Sequence, residues 1–469
     1  MSSLQDCTRR VFAAKSHYRP YLSSSIRNRH LVLQPGTIVA RAMASSPAKR
    51  LAPRSFPTSG FKVIGHSELF QEETLPGYKS ELYYPVHIGE VFNERYQVMG
   101  KLGYGVTSTV WLARDLVEPD DPGYVALKVY VGDLFRGDEI AIYERIKAAT
   151  AKQNHLGHET IRKCLSSFEV QGPQRKKHTC IVHEALGMTM EHILLNYVPD
   201  RAFKIEEIKM FILEILIGLD FLHTEARIIH TDLQLKNLLL PVGNSYSYEE
   251  FVEGECNDPV ERKILKDRTI YNTRHLSQAI KGLPRICDFG EARFVDGECE
   301  LNDDIMPDVY RAPEVVMRMA WNNKIDIWSV AMVAWDLLAK RTLFHRQDPE
   351  TKEPDDRYLL AEMTAVLGPP PPEFVRRSPV CQVFWDKNGK WKNAVPIPDL
   401  TLEKLAADIE GKDKEGFLCF LRRILRWLPE DRPTTEELVY DPWLGVGPDE
   451  QSQTEDKNKE RVEEVPPPS

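Results

Sequence analysis

Residues Ile205 to His223 (IEEIKMFILEILIGLDFLH) carry apolar side chains at three- and four-residue spacing on more than one face of a helix. Such a helix has to be surrounded, so the chain must build a large core around it. Asp326 to Ala339 reads as a second buried helix. The longest apolar run, Val330 to Ala339, is short and contains Asp336. Nothing reaches the roughly 18 apolar residues of a membrane span, so the chain reads as soluble, with no membrane partner. Upstream the pattern differs. Tyr96 to Leu102 and Thr109 to Asp115 read as short strands around a glycine turn, and Tyr124 to Val129 and Cys180 to Glu184 as two more. Asp138 to Ala148 has helical spacing. Strands first and helices later imply an α+β chain with two lobes, a small β-rich one with one main helix and a large, mostly helical one.

Charge narrows the function classes. The 469 residues have a net charge of −9, but residues 1–60 hold ten Lys or Arg and a single acid, Asp6. The rest has 51 basic and 69 acidic residues, a net −18. An acidic body argues against direct nucleic-acid binding and suits a basic protein substrate. With 42% hydrophobic and 28% charged residues, the composition excludes a wholly disordered chain, a collagen and a disulfide miniprotein. The eight cysteines are scattered without a C-x-x-C pair, against a zinc site or a disulfide framework and in keeping with a reducing compartment. Residues 1–60 read as a disordered basic tail or as a mitochondrial transit peptide. Residues 61–95 read as an N-terminal extension and 445–469 as an acidic, disordered tail.

Five short stretches carry chemistry. Gly103-Tyr-Gly105-Val-Thr-Ser108 lies between two strands, where glycine lets backbone N–H groups approach a phosphate. A strand follows it, which counts against a dinucleotide-binding unit. Val125-Ala-Leu-Lys128 puts a lysine in an apolar strand, costly without an anionic partner. His230-Thr-Asp232, with Asn237 five residues after the Asp, matches a loop holding a base and a metal ligand. Ile286-Cys-Asp288-Phe289-Gly290 sends an acid out of a short strand. Ala312-Pro313-Glu314 follows, then Asp326-Ile-Trp328, and finally Arg432. A glycine hairpin, strand lysine, H-x-D-x-x-x-x-N, D-F-G and A-P-E in this order form the protein-kinase signature set. Over roughly Asn93 to Leu444 the chain resembles the eukaryotic protein kinases.

A narrower resemblance rests on Tyr84 to Tyr96 (YPVHIGEVFNERY), Lys101-Leu-Gly-Tyr-Gly105, Ser108-Thr-Val-Trp-Leu112 and the Thr of His230-Thr-Asp232. These look like the SR-protein kinases, which phosphorylate arginine–serine-rich splicing factors, and the segment Asp258 to Tyr271 resembles an insert of fungal members. The resemblance implies a serine/threonine kinase domain over 96–444, divided into lobes 96–184 and 185–444. It implies ATP and Mg²⁺ as cofactors. Substrates would be basic, Arg/Ser-rich proteins such as mRNA-splicing factors. The chain would act as a monomer in cytoplasm and nucleus, with the mitochondrion left open by the basic N-terminus.

Residue by residue, it implies that Leu102, Gly103, Gly105, Ser108, Val110 and Ala126 enclose the nucleotide and that Lys128 binds its α and β phosphates. Lys128 would pair with Glu139 or, if the helix starts later, Glu144. Glu184 and Leu186 would offer backbone groups to adenine, with His183 at the gate of the back pocket. Asp232 would orient the substrate hydroxyl, and Asn237 and Asp288 would hold Mg²⁺. Glu314 and Arg432 would form a structural ion pair.

Two positions depart from the family. Gln234 stands where a lysine normally contacts the γ-phosphate, with Lys236 two residues on. Asp308 replaces an arginine before A-P-E. No Ser or Thr lies between Gly290 and Arg311, and Thr231 replaces the arginine that would hold an activation-loop phosphate. The 51 positions from Asn237 to Asp288 far exceed the roughly 15 residues of an ordinary loop. This insert, about 243–283, would dock partners or be tolerated surface. An acidic stretch, His345 to Asp356, lies near the family's docking groove, though Ala365 occupies the family's glutamate position. An active kinase and a scaffold that holds ATP without transferring phosphate both remain open, with Gln234 the feature that favours the scaffold.

Overall fold

The computed structural model describes residues 50–117, 123–132, 138–152, 154–243, 246–276, 282–295, 301–411 and 413–445. The basic segment through residue 49 and the acidic tail beyond 445 lie outside the described residues. Six strands form one antiparallel sheet: β1 (Val91–Phe92), β2 (Tyr96–Tyr104), β3 (Ser108–Asp115), β4 (Tyr124–Tyr130), β5 (Cys164–Gln171) and β6 (Lys177–Glu184), in the order β1-β2-β3-β4-β6-β5. Five helices matter here: α1 (Asp138–Lys152), α2 (Ile205–Asp220), α3 (Tyr246–Asn257), α4 (Lys324–Leu338) and α5 (Asp356–Leu367). Four of the strands match the expected ones. The edge strand β5 was not legible because it is only half-buried and reads CLSSFEVQ.

The chain divides into two units that interleave in sequence. The smaller gathers residues up to 140, 162–188 and 239–283; the larger gathers 141–161, 189–238 and 284 onward. Only the first turn of α1 therefore counts with the sheet, and the insert, drawn from within the expected large lobe, counts with the smaller unit.

Cross-strand register explains the sheet's chemistry. Gly103 lies opposite Val110, Val110 opposite Lys128, and Lys128 opposite Ile181. Leu112, Ala126 and His183 form the next row on the same face, because side chains alternate along a strand. The other face presents Trp111, Ala113, Val125, Leu127, Val129, Cys180 and Val182. Val86 and Phe92 from the extension and Tyr271 from the insert pack on it. β4 is buried along its whole length.

The insert folds rather than trailing. Tyr248, Phe251 and Val252 make one stripe of α3 and pack with Met99, Leu112, Tyr124, Ala185 and Leu276. Gly100 makes room for it: a Cβ there would sit 2.6 Å from a Phe251 ring carbon. Beyond α3, Arg262–Ile264 pairs with Thr269–Tyr271. The extension interlocks with this ladder. Backbone bonds join Lys62 and Ile64 to Arg262, and Lys263 Nζ reaches Glu73 at 2.8 Å. Lys101 of β2 is buried with its ammonium on Glu72 of the extension and bonds the insert's Tyr271 carbonyl at 3.2 Å.

In the larger unit α2 and α4 are buried on most sides, as their sequences require. A wider helical turn, Phe221–Ala226, prolongs α2 to Arg227, which has φ 57°. Arg432 and Glu314 form a two-pronged, fully buried pair at 2.6 and 2.7 Å, with Arg426 and Lys324 carbonyls taking the remaining N–H groups. Every charged donor is satisfied, the condition under which a buried pair is tolerated.

Candidate active site

In the smaller unit, Lys128 Nζ meets Glu139 at 2.9 and 3.2 Å, and both residues are buried. Glu139, not Glu144, is the partner. It lies in the first turn of α1 and shares a helix face with the buried Ile142, Tyr143 and Ile146, whereas Glu144 is exposed. The lysine also lies 4.9 Å from the Tyr130 ring centroid. The glycine hairpin turns at residues 105–107, closed by Gly105 N–H to the Ser108 carbonyl at 2.8 Å. Ser108 and Ala126 are buried, Leu102 and Val110 half-buried, and the space over Gly103 is open.

The segment leaving β6 is more committed than expected. The Glu184 carbonyl already accepts the Arg162 guanidinium at 3.1 and 3.2 Å. Both of the carbonyl's acceptor positions thus face the guanidinium, so an adenine amine would have to share this oxygen with Arg162. The Ala185 carbonyl accepts Tyr248 Oη at 2.7 Å, and Gly187 N–H bonds Leu240. Leu186 is itself buried. His183, on the Lys128 face of the sheet, is 1% exposed.

In the larger unit, residues 230–237 are arranged from beneath. Asp326, fully buried on α4, accepts from the backbone N–H of His230 at 2.8 Å and of Thr231 at 2.9 Å, and from His223 Nε2 at 2.8 Å. Burial pushes this carboxyl up, but the bonds from His223 and His230 outweigh it and hold it below the usual range. Asp326 therefore fixes the backbone of His230 and Thr231 from beneath. His230 bonds the Cys287 carbonyl through Nε2 at 3.0 Å and accepts Asp232 N–H at Nδ1, which assigns its proton to Nε2.

Asp232 is half-buried, and its two carboxylate oxygens are held by amides: Asn237 Nδ2 at 2.6 Å and Gln234 Nε2 at 2.5 Å. Burial raises its pKa, against the lowering effects of His230, Asn237 and Lys236, with Asp288 adding to the rise. Lys236 is exposed in the turn Leu235–Asn237. Asp288 is exposed and adopts φ 62°, an uncommon conformation for a non-glycine residue that concentrates at functional sites. Phe289 is buried against Tyr143 of α1 and His230, at 5.3 and 5.1 Å between rings.

Asn237 spends its amide nitrogen on Asp232, which leaves its side-chain oxygen as the atom that could serve as a ligand. Together with the Asp288 carboxylate this is a hard-oxygen donor pair, suited to a divalent cation. Among the described residues no group of three or more His, Cys, Asp or Glu could hold a metal alone. The pair fits an ion shared with phosphate oxygens, the habit of Mg²⁺.

After Asp288 the chain is held by acid–base pairs. Thr231 Oγ1 donates to the Glu291 carbonyl at 2.5 Å. Arg293 meets Asp303 at 3.1 Å, Arg311 meets Asp304 at 3.2 Å, and Asp308 meets Arg346 at 2.8 Å. The arginine missing before A-P-E is thus replaced by an acid with basic partners of its own. Much of the acidic stretch 345–356 is structural: Asp355 caps α5, Asp348 closes a turn, and Asp356 pairs with Arg346.

Residues 96–444 match the protein kinase domain family, and the chain belongs to that family. It is a serine/threonine protein kinase. A serine/threonine protein kinase of Aspergillus fumigatus is 38% identical over 396 residues, 84% of this chain and 95% of that one. The serine/threonine-protein kinase SRPK of Physarum polycephalum is 30% identical, covering 81% of this chain and 92% of that one. Among solved structures, a crystallised kinase domain superposes with a TM-score of 0.57 at 23% identity, over 78% of this chain and all of the other, which supports the fold.

Proposed function

We propose that this kinase transfers the γ-phosphate of ATP to Ser or Thr of basic proteins, Arg/Ser-rich ones such as splicing factors foremost, and acts in the cytoplasm and nucleus. The buried, formed Lys128–Glu139 pair is the observation that carries activity, since it holds an ammonium in place for phosphate oxygens. The acidic body and the similarity to the Physarum SRPK support a basic substrate.

In this reading Lys128 binds the α and β phosphates and the Gly103–Ser108 hairpin covers them. Asp232 accepts a hydrogen bond from the substrate hydroxyl and aims its oxygen at the γ-phosphorus. As the new P–O bond forms, the bond to the ADP oxygen breaks and the hydroxyl proton passes toward Asp232. A divalent cation, held by Asn237 and Asp288, supplies neutralising charge when bound. Asn237 also keeps the Asp232 carboxylate in one orientation.

The Gln234 amide on Asp232 favours a second reading, a scaffold that holds nucleotide without transferring phosphate. Radiolabelled ATP offered with an Arg/Ser peptide and with an acidic peptide separates the two. Label on the Arg/Ser peptide, lost in Asp232→Asn, is the expected result. Equal labelling of the acidic peptide would overturn the substrate reading, and nucleotide binding without labelling would favour the scaffold.

A further inference from the structure

The two stretches of the smaller unit assigned to the nucleotide are each held by a tyrosine hydroxyl from outside the kinase signature. Tyr83 of the extension donates to the Gly105 carbonyl at 3.1 Å and lies 3.4 Å from that of Val106, at the tip of the glycine hairpin. Tyr248 of the insert donates to the Ala185 carbonyl at 2.7 Å, between Glu184 and Leu186. Both tyrosines are buried.

The insert is fixed well enough to act as a support. Tyr248 stacks on Tyr124 of β4 at 5.3 Å, and the Tyr124 hydroxyl bonds Glu249 at 2.8 Å. Phe251 sits over Gly100. Further along, Arg274 N–H bonds the Lys101 carbonyl at 2.9 Å, two residues before Gly103. The insert and the extension also hold each other, since Arg268 bonds the Tyr83 carbonyl at 3.2 Å. A buried carbonyl that loses its donor carries a desolvation cost, so the segment shifts to find another.

We propose that Tyr248 is a positioning residue for the adenine-binding segment and Tyr83 for the glycine hairpin, so that the insert and the extension set nucleotide affinity. This rests on the reading that residues 184–186 receive adenine. The backbone groups of Glu184 and Leu186 can meet a planar base only if the peptide between them keeps its orientation, and the Tyr248 hydroxyl holds that peptide.

The test compares Tyr248→Phe and Tyr83→Phe with Tyr124→Phe in the full chain. Tyr124 anchors the same helix, and its hydroxyl bonds Glu249 rather than either stretch. Steady-state kinetics with an Arg/Ser peptide give KM for ATP and kcat, fluorescent ADP gives affinity directly, and thermal melting reports stability. Tyr248→Phe is expected to raise KM for ATP and to weaken ADP binding by about fivefold, the worth of one hydrogen bond, with a smaller fall in kcat. Tyr83→Phe should act in the same direction, and Tyr124→Phe should lower the melting temperature without moving KM. The proposal is overturned if Tyr248→Phe only lowers stability, as Tyr124→Phe does. A wild-type chain that binds no adenine nucleotide would instead sink the underlying reading, and this proposal with it.

Discussion

The catalytic loop at 230–237 and the glycine hairpin at 103–108 are both short, but they are held in opposite ways. The loop is fixed from inside its unit by a fully buried carboxylate, Asp326, which accepts three hydrogen bonds from donors around it. The hairpin is held from outside, by a neutral tyrosine of the extension and by the insert's grip on Lys101. A buried charge makes any other loop conformation costly. The single bond from the neutral Tyr83 hydroxyl at the hairpin tip holds more weakly than a buried charge with three donors and can be adjusted. In the proposed function, the chemistry is therefore built on the rigid support and the nucleotide cover on the adjustable one.

Four changes test this contrast. Asp326→Asn should have the largest effect, because an amide cannot accept three bonds and would turn a donor toward a donor. A loss of about 3–5 kcal/mol in stability is expected in urea unfolding, with a fall in kcat of roughly a hundredfold as the loop shifts. Near-normal kcat would show that the loop holds itself.

Gly100→Val should break only the outer support. Its side chain would collide with Phe251, and overpacking of this kind costs about 1–3 kcal/mol. Hydrogen exchange should show α3 losing protection while 230–237 keeps its own. Loss of protection in both would mean that the two supports are not independent.

Gln234→Lys probes the loop itself. Lys236 is exposed, while the Gln234 amide sits on Asp232. Adding a charge there should raise kcat about tenfold, or roughly 1.4 kcal/mol, with little change in KM for ATP. If Lys236→Ala instead collapses kcat and Gln234→Lys does little, Lys236 supplies the charge.

The smallest effect is a change of pH slope. Asp336, on the same helix as Asp326, accepts one bond, from Tyr310 Oη at 2.6 Å, and burial pushes it up to about 6 from 3.8. A carboxyl raised in the folded state favours folding when protonated. Its contribution is complete below about pH 4 and lost as pH rises through about 6. Asp336→Asn should flatten the melting-temperature profile across that window. An unchanged profile would mean that the pair does not titrate there.

Much of the site was legible because its residues sit in local patterns. Lys128 lies inside a strand whose register follows from alternation, and Asp232, Asn237 and Asp288 stand at fixed offsets in a loop and at a strand exit. Glu139 was legible only as one of two choices, although the burial of its helix face, with Ile142, Tyr143 and Ile146, separates them. The insert was harder. Its stripe of Tyr248, Phe251 and Val252 is visible in the sequence, but the surface that receives it lies more than a hundred residues earlier, at Gly100 and Tyr124. Arg162, which places two N–H donors on the Glu184 carbonyl, left no signal at all.

The sequence by itself determined the strands, the buried helices and the ordered set of reactive residues, because each follows from the periodicity or chemistry of a few neighbouring positions. The tertiary structure alone decided that the insert joins the sheet, that Asp326 holds residues 230–237, and that Tyr83 and Tyr248 reach the glycine hairpin and the Ala185 carbonyl. Those contacts join residues 22 to 170 positions apart. A hydrogen bond over such a separation depends on how whole elements pack, and nothing in the residues around either partner records that.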